Sequence, residues 1–358
     1  DYSAEGDAWS YFPHDMARMR AYRWGEDGIA GISDARQQLC LSLGLWNGKD
    51  PFIKERLFGL TNAQGNHGED VKELYYYLDA TPSHSYLKML YKYPQSEFPY
   101  QRLVYENARR GKQDREFELI DTKVFDEDRY YDVFVEYARP EPKDILMRVT
   151  VYNRGPESET IHLLPLLWFR NTWSWEENST RPVMLANSDN AIHIDHSELG
   201  HWQLNADGHP SLLFCENDTN LRRLGDQPDA QGFFKDAIND YLVASDKAAV
   251  NPAQSGTRAA IHYAIDISSG ESRQIRLRLH RNNLANQESS FKAFDALFEQ
   301  SINEANLFYQ EVQKDIHDED ARNVQRQALA GMIWSKQFYY FDITQWKNGD
   351  PGQPAPPK

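Results

Sequence analysis

The chain has 358 residues and a formal net charge of -15. A chain of this length can bury a large core as one β-domain or as two ordinary domains, while its deficit of lysine and arginine argues against nucleic acid or an anionic membrane as partner. Cys40 and Cys215 stand far apart, too few for a disulfide framework or a cysteine metal site, and no apolar run is long enough to span a bilayer.

In chain order, the first polar knot is RWGEDG, with Arg23, Trp24 and Glu26, which reads as a strand end salt-bridged by Arg23 and turned at Gly25 and Gly28. The next is LFGLTNAQGNHGEDVKELYYYLD. Gly65 and Gly68 let the backbone bend or approach a partner, and Asn66, His67, Glu69 and Asp70 offer donors and acceptors in several directions. Their spacing fits no strong metal template, so a hydrogen-bonded turn is the simpler reading and no metal or cofactor is expected.

From about residue 115 to 280 apolar residues alternate or form short runs broken by turns, the strand signature. Tyr131, Val133, Val135 and Tyr137 point one way, as do Ile145, Met147, Val149 and Val151. NRGPES turns the chain into IHLLPLLWF, a nearly continuous apolar strand. FRNTWSW follows: Arg170 and Asn171 could orient hydroxyls and Trp173 or Trp175 could stack on a sugar, with interface packing as the plainer role. In AIDISSGESRQIRLRL a second hairpin bends at Ser269 and Gly270, with Ile275, Leu277 and Leu279 alternating with Arg276 and Arg278. Many strands joined by short turns predict a mainly β fold, an antiparallel sandwich.

After Ser289 and Ser290, candidate caps, the period becomes helical. Phe291, Phe294, Phe298, Ile302, Ala305, Tyr309 and Val312 form one stripe, and Val324, Ala328, Leu329, Met332 and Ile333 form a second behind DIHDED. WKNGDPGQPAPPK then reads as an extended linker. The expected organisation is a sandwich over 1–285, helices over 286–345 and a Pro/Gly-rich linker over 346–358.

The stretches YFPHDMARMRAYRWGEDGIAG, LSLGLWNGKDPFIKERLFGLTNAQGNHGEDVKELYYYLDATPSHSYLKMLYKYPQSEFPY and VTVYNRGPESETIHLLPLLWFRNTWSW resemble the amino-terminal half of bacterial relatives of mannosyl-oligosaccharide glucosidase, glycoside hydrolase family 63. That resemblance implies an amino-terminal super-β-sandwich, linker helices, and a six-hairpin α/α toroid holding the catalytic acid and base. ARNVQRQALAGMIWSKQFYYFD looks like the toroid's first helix, so the catalytic carboxylates would lie beyond Lys358. The implied partners are that toroid or a second copy of the chain, with an α-glucoside or oligosaccharide as substrate of the full enzyme.

An inverting glycosidase needs two carboxyl groups about 6.5–9.5 Å apart across the sugar. Glu26 with Asp27, Glu69 with Asp70, and Glu176 with Glu177 are the pairs within this chain, but neighbouring side chains in an extended segment point to opposite sides. The chain alone is therefore expected to be inactive. No GxSxG, HExxH or GxxxxGK[ST] is present to suggest other chemistry. Arg23, Trp24, Glu26, Asn66, His67, Glu69, Asp70, Arg170, Asn171, Trp173 and Trp175 are the expected rim or interface residues. The alternative is a free-standing carbohydrate-binding or assembly module. The cysteine usage suits a reducing compartment, and the expected location is cytoplasmic.

Overall fold

The computed structural model describes residues 14–21, 25–60, 64, 70–175, 179–225, 227–281, 291–335 and 343–348. Two antiparallel sheets face one another. The smaller runs β1 (Ile32–Ser33), β2 (Leu39–Trp46), β9 (Glu159–Phe169), β15 (Arg258–Ile267), β13 (Ser211–Cys215). The larger runs β14 (Ser255–Gly256), β10 (Val183–Ser188), β11 (Ala191–His196), β12 (Gly200–Ala206), β16 (Ser272–His280), β8 (Asp144–Asn153), β7 (Tyr130–Glu141), β6 (Tyr86–Pro94), β5 (Tyr75–Ala80). A short hairpin, β3 (Gly59–Leu60) with β4 (Asp70–Val71), stands apart. The helices are α1 (His14–Ala17), α2 (Tyr100–Ala108), α3 (Leu221–Leu224), α4 (Ala237–Leu242), α5 (Phe294–Val312), α6 (Glu319–Trp334) and α7 (Ile343–Asn348). The fold is thus the expected β-sandwich followed by helices.

Alternation builds the core. Leu41, Leu43 and Leu45 of β2 and Leu163 and Leu167 of β9 meet Val133 and Val135 of β7 and Val149 and Val151 of β8, all buried in one cluster. Gly270 closes the β15–β16 hairpin with φ +73°, a left-handed turn conformation that suits glycine. Ile145 packs against the core from a half-buried position, whereas its neighbour Leu146 is fully buried on the other face, under α5. Phe294, Phe298 and Ala305 of α5 cover Tyr86, Ala138 and Leu146 there, which explains the buried part of the helical stripe; Val312 is exposed.

Helix α6 starts at Asp318, whose carboxylate accepts from the Ala321 amide at 2.7 Å. It docks on β5 through Ala330, the Trp334 ring stacked on Tyr77 at 5.4 Å, and the Arg326–Asp79 ion pair. Val324, Ala328 and Met332, four residues apart, form an exposed line on the same helix, while Leu329 and Ile333 are half-buried. Ser289 and Ser290 lie outside the described residues.

A satellite cluster of Phe58, Leu60, Phe98, Tyr100, Leu103 and Phe117 joins the β3–β4 hairpin to α2. It is fastened to the sandwich by a fully buried ion pair, Lys54 with Glu73. The Lys54 ammonium also sits 3.7 Å from the Phe98 ring centre and 4.7 Å from that of Tyr100. Burial pushes the Glu73 carboxyl up, and Lys54 opposes that shift. Removing one partner of such a pair leaves an uncompensated charge. Lys54→Met should lower unfolding free energy by about 3–5 kcal/mol in urea denaturation, and adding Glu73→Leu should restore most of it. A double variant as unstable as the single would refute the pairing as the source of the cost.

Candidate functional site

A shallow cleft lies on the outer face of the smaller sheet, with about 20 Å³ of enclosed space and about 430 Å³ counting its open mouth. Its floor follows from β2, which reads LCLSLGLW. The leucines face the core, and the small Cys40, Ser42 and Gly44 face outward, where other groups can come close. Leu166 and Trp168 of β9 complete the floor, and the antiparallel register sets Trp168 opposite both Cys40 and Arg258. Walls come from α1, from segments 25–28 and 53–56, and from Lys235 just before α4.

Glu26 enters from the 25–28 segment. Its backbone is clamped by Gln37, which accepts from the Glu26 amide at 2.9 Å and donates to the Glu26 carbonyl at 3.2 Å. Gly28 makes the approach possible: a Cβ there would lie 2.7 Å from both Cβ and Oγ of Ser42. Around Glu26 the cations are largely engaged. Arg258 donates to Glu55 at 2.7 Å and stacks over the Trp168 ring at 5.4 Å; Arg56 pairs with Asp27 at 3.3 Å; Lys235 donates to the Arg20 carbonyl at 2.8 Å. Burial raises the Glu26 carboxyl, opposed first by Lys235, and lowers Lys235 to about 8. Burial and the neighbouring Lys54 and Arg56 hold His14 well below its ordinary value, favouring the neutral ring; its Nε2 lies 3.1 Å from the Arg56 carbonyl.

The buried Arg170 guanidinium is among the charges that favour the ionised form of Glu26. Arg170 donates to the Arg36 carbonyl at 3.2 Å and lies over Trp175 at 5.2 Å. Asn171 donates to the Asn217 carbonyl at 2.7 Å and to Asp218 at 2.8 Å; the Trp173 indole donates to the same Asp218 oxygen at 2.8 Å, with Arg181 over its ring. These contacts lie within the fold. Asp70 opens β4 opposite Leu60, and Arg23, Trp24, Asn66, His67 and Glu69 lie outside the described residues.

Among the carboxylate pairs, Glu26 and Asp27 both line the cleft, Asp27 from an exposed position where it pairs with Arg56. Glu69, Glu176 and Glu177 are not among the described residues. No metal-sized group of three or more His, Cys, Asp or Glu side chains occurs among the described residues. Sequence reasoning missed Ser42, Glu55, Trp168, Lys235 and Arg258. The available signal was the row of small residues alternating through β2, together with a lone arginine opening the apolar strand RAAIHYAIDI.

No family model matches the chain. The uncharacterized protein YMR196W of Saccharomyces cerevisiae is 40% identical over 405 aligned positions, covering all of this chain and 37% of that protein. The chain therefore spans little more than a third of that relative's length. A polysaccharide lyase superposes on 76% of this chain and 27% of its own, with 10% identity and a TM-score of 0.31. A putative aldose 1-epimerase from Escherichia coli K12 covers 57% and 67%, with 10% identity and a TM-score of 0.27. A putative kojibiose phosphorylase from human microbiome covers 90% and 37%, with 9% identity and a TM-score of 0.25. Superpositions this loose carry no argument about this chain.

Two outcomes test the geometry. Gly28→Ala should cost about 1–3 kcal/mol by overpacking against Ser42; an unchanged midpoint in urea would show that the 25–28 segment does not press on β2. Lys235 should make stability pH-dependent. Below about pH 8 it is charged in both folded and unfolded chains, and the folded state bears the burial cost. Between about 8 and the ordinary 10.5 the unfolded chain binds a proton that the folded one does not, so stability from this group rises with pH. The unfolding free energy of the parent minus that of Lys235→Met should therefore increase across this window by on the order of 2 kcal/mol. A flat difference would contradict a buried Lys235.

Proposed function

We propose that this chain is the non-catalytic amino-terminal sandwich of an α-glucosidase-like glycoside hydrolase. In the full enzyme it would brace, and partly line, a sugar pocket carried by a catalytic α/α toroid that hydrolyses O-glycosidic bonds with inversion. The observation that carries this reading is the succession of a two-sheet antiparallel sandwich and two docked helices in a chain whose long motifs resemble family 63. The acid and base of the reaction are assigned to the toroid.

Within this reading, Arg170, Asn171 and Trp173 serve as bracing, because their polar groups are engaged inside the fold. Asn66, His67, Glu69 and Asp70, with Arg23 and Trp24, are assigned to the rim that meets the toroid. The exposed line of Val324, Ala328 and Met332 is assigned to the same contact. The two buried free cysteines, Cys40 and Cys215, favour a cytoplasmic setting, and no described helix is long and apolar enough to cross a membrane.

The purified chain should release no measurable aglycone from an aryl α-glucoside. Turnover abolished by Glu69→Gln would overturn the assignment and move the chemistry into the GNHGED loop. Covering each large apolar side chain is worth roughly 1.5–3 kcal/mol. In sedimentation the chain should therefore self-associate or bind a supplied toroid segment, and Val324→Lys with Met332→Lys should abolish either. A monomer indifferent to both changes, with or without the toroid, would favour a self-contained module.

A further inference from the structure

Two histidines on the outer face of the smaller sheet make a bond that cannot survive protonation of both. Alternation turns His162 of β9 to the same side as Leu164, and His262 of β15 to the same side as Ala260, away from the core between the sheets. The antiparallel register sets His162 opposite Ala264, so His262 is its diagonal neighbour on that face. Nδ1 of His162 lies 2.8 Å from Nε2 of His262, and the rings are within 15° of parallel with centres 5.1 Å apart. Such a contact needs a proton on one nitrogen and a lone pair on the other. With both rings charged, two N–H groups would face each other.

The surroundings oppose even one added charge. Strand β2 sets Trp46 opposite His162, ring centres 4.9 Å apart, and β13 sets the uncharged Ser211 opposite His262. The cover here is α4 with the loop over 243–250: Leu242, Val243 and Val250 share a cluster with Trp46. That loop brings a cation, Lys247, which lies 3.8 Å over the Tyr241 ring and acts on both histidines. The acids on these elements are engaged elsewhere. Asp246 accepts from the Ala248 amide at 3.0 Å, Glu159 pairs with Lys49 at 3.3 Å, and Asp266 accepts from Thr160. Burial first, then Lys247, holds His162 below its ordinary value; burial, then His162 and Lys247, lowers His262 to about 4.

We propose that the His162–His262 pair is an acid-sensitive latch, which holds α4 and the 243–250 loop on the smaller sheet at neutral pH and releases them on acidification. The inference goes beyond the role proposed above for the whole chain and does not depend on it. While the cover is closed the two rings stay neutral; once it lifts and they meet water, each takes a proton near pH 6.5. The open form therefore binds more protons, and the closed form loses stability as pH falls from about 6.5 towards 4. Neighbouring groups do not mimic this. Burial raises Asp236, just before α4, and Glu26, so each favours the closed form in acid, and Lys235 is charged in both forms below about 8. His14 shares the sign of the pair but belongs to α1. Release of α4 would also loosen Lys235, a wall of the cleft.

Hydrogen exchange read by mass spectrometry on the purified chain tests this, comparing peptides over 237–251 and 130–153 at pH 7 and pH 5, each corrected for the intrinsic pH dependence of amide exchange. The opening equilibrium of 237–251 should rise at least about tenfold on acidification, while that of 130–153, in β7 and β8, stays level. His162→Asn with His262→Gln puts non-titrating amides near the two bonding nitrogens and should remove the rise. No rise in the parent, an equal rise in 130–153, or a rise that persists in the folded double variant would each overturn the latch. If the double variant fails to fold, His262→Gln alone should cut the rise at least about threefold, and an undiminished rise would overturn the proposal just as well.

Discussion

From Leu163 to Phe169 strand β9 has no solvent face, and both the sandwich and the cleft depend on that. Ile161, Leu163, Leu167 and Phe169 enter the core between the sheets, while Leu164, Leu166 and Trp168 on the opposite side need a second cover. Ala237, Ile238 and Leu242 of α4 supply part of it as apolar surface. Over Trp168 the cover is instead a guanidinium, Arg258 at 5.4 Å, so the apolar layer gives way to a charged one at one place on the sheet. A cation stacked on an indole keeps the ring out of water but brings its charge into a dry setting, which requires a counter-charge such as Glu55. The cleft is where the layer changes character.

Much of the fold was legible because its signals are local. The alternation Tyr131, Val133, Val135, Tyr137 became β7 with all four buried, and the unbroken run in IHLLPLLWF announced two-sided burial. The change to a helical period after residue 290 marked α5, whose Phe294 and Phe298 are fully buried. Leu146 shows what alternation cannot reveal: it sits on the nominally outer face of β8, yet α5, far along the chain, covers it. The satellite cluster was equally hidden. Lysine is ordinarily a surface residue, but Lys54 and Lys72 are both buried, Lys72 against Glu116 and Glu118 at 2.9 and 3.2 Å.

The candidate site was the least legible part. Residues 26, 42, 55, 168, 235 and 258 meet only because β2 and β15 flank β9 and because two irregular segments cross the same face. No window of sequence contains more than one of the three floor strands. RWGEDG and FRNTWSW stand out as polar and aromatic knots, but nothing in either announces that Arg258 is set opposite Trp168. Chemistry also divides them. Asn171 and Trp173 spend their donors on Asn217 and Asp218, whereas Glu26 lines the cleft.

That difference bears on why charges occupy this cover at all. Well-packed apolar residues of similar volume are often as stabilising as buried ion pairs, or more so, because they avoid desolvation. The α5 side of the molecule follows that course only in part: Phe294 and Phe298 fill the surface there, but Arg148 lies over Phe298 at 4.1 Å and pairs with the buried Glu136 at 3.0 Å. On the cleft side the desolvation cost is visible in opposite shifts, Glu26 pushed up and Lys235 pulled down, each mainly by burial. Stability alone would favour an apolar cover here. A fold that keeps a carboxylate, an ammonium and a guanidinium around one cleft is locally less stable than it need be. Such local conflicts between stability and composition concentrate at sites that act on something else.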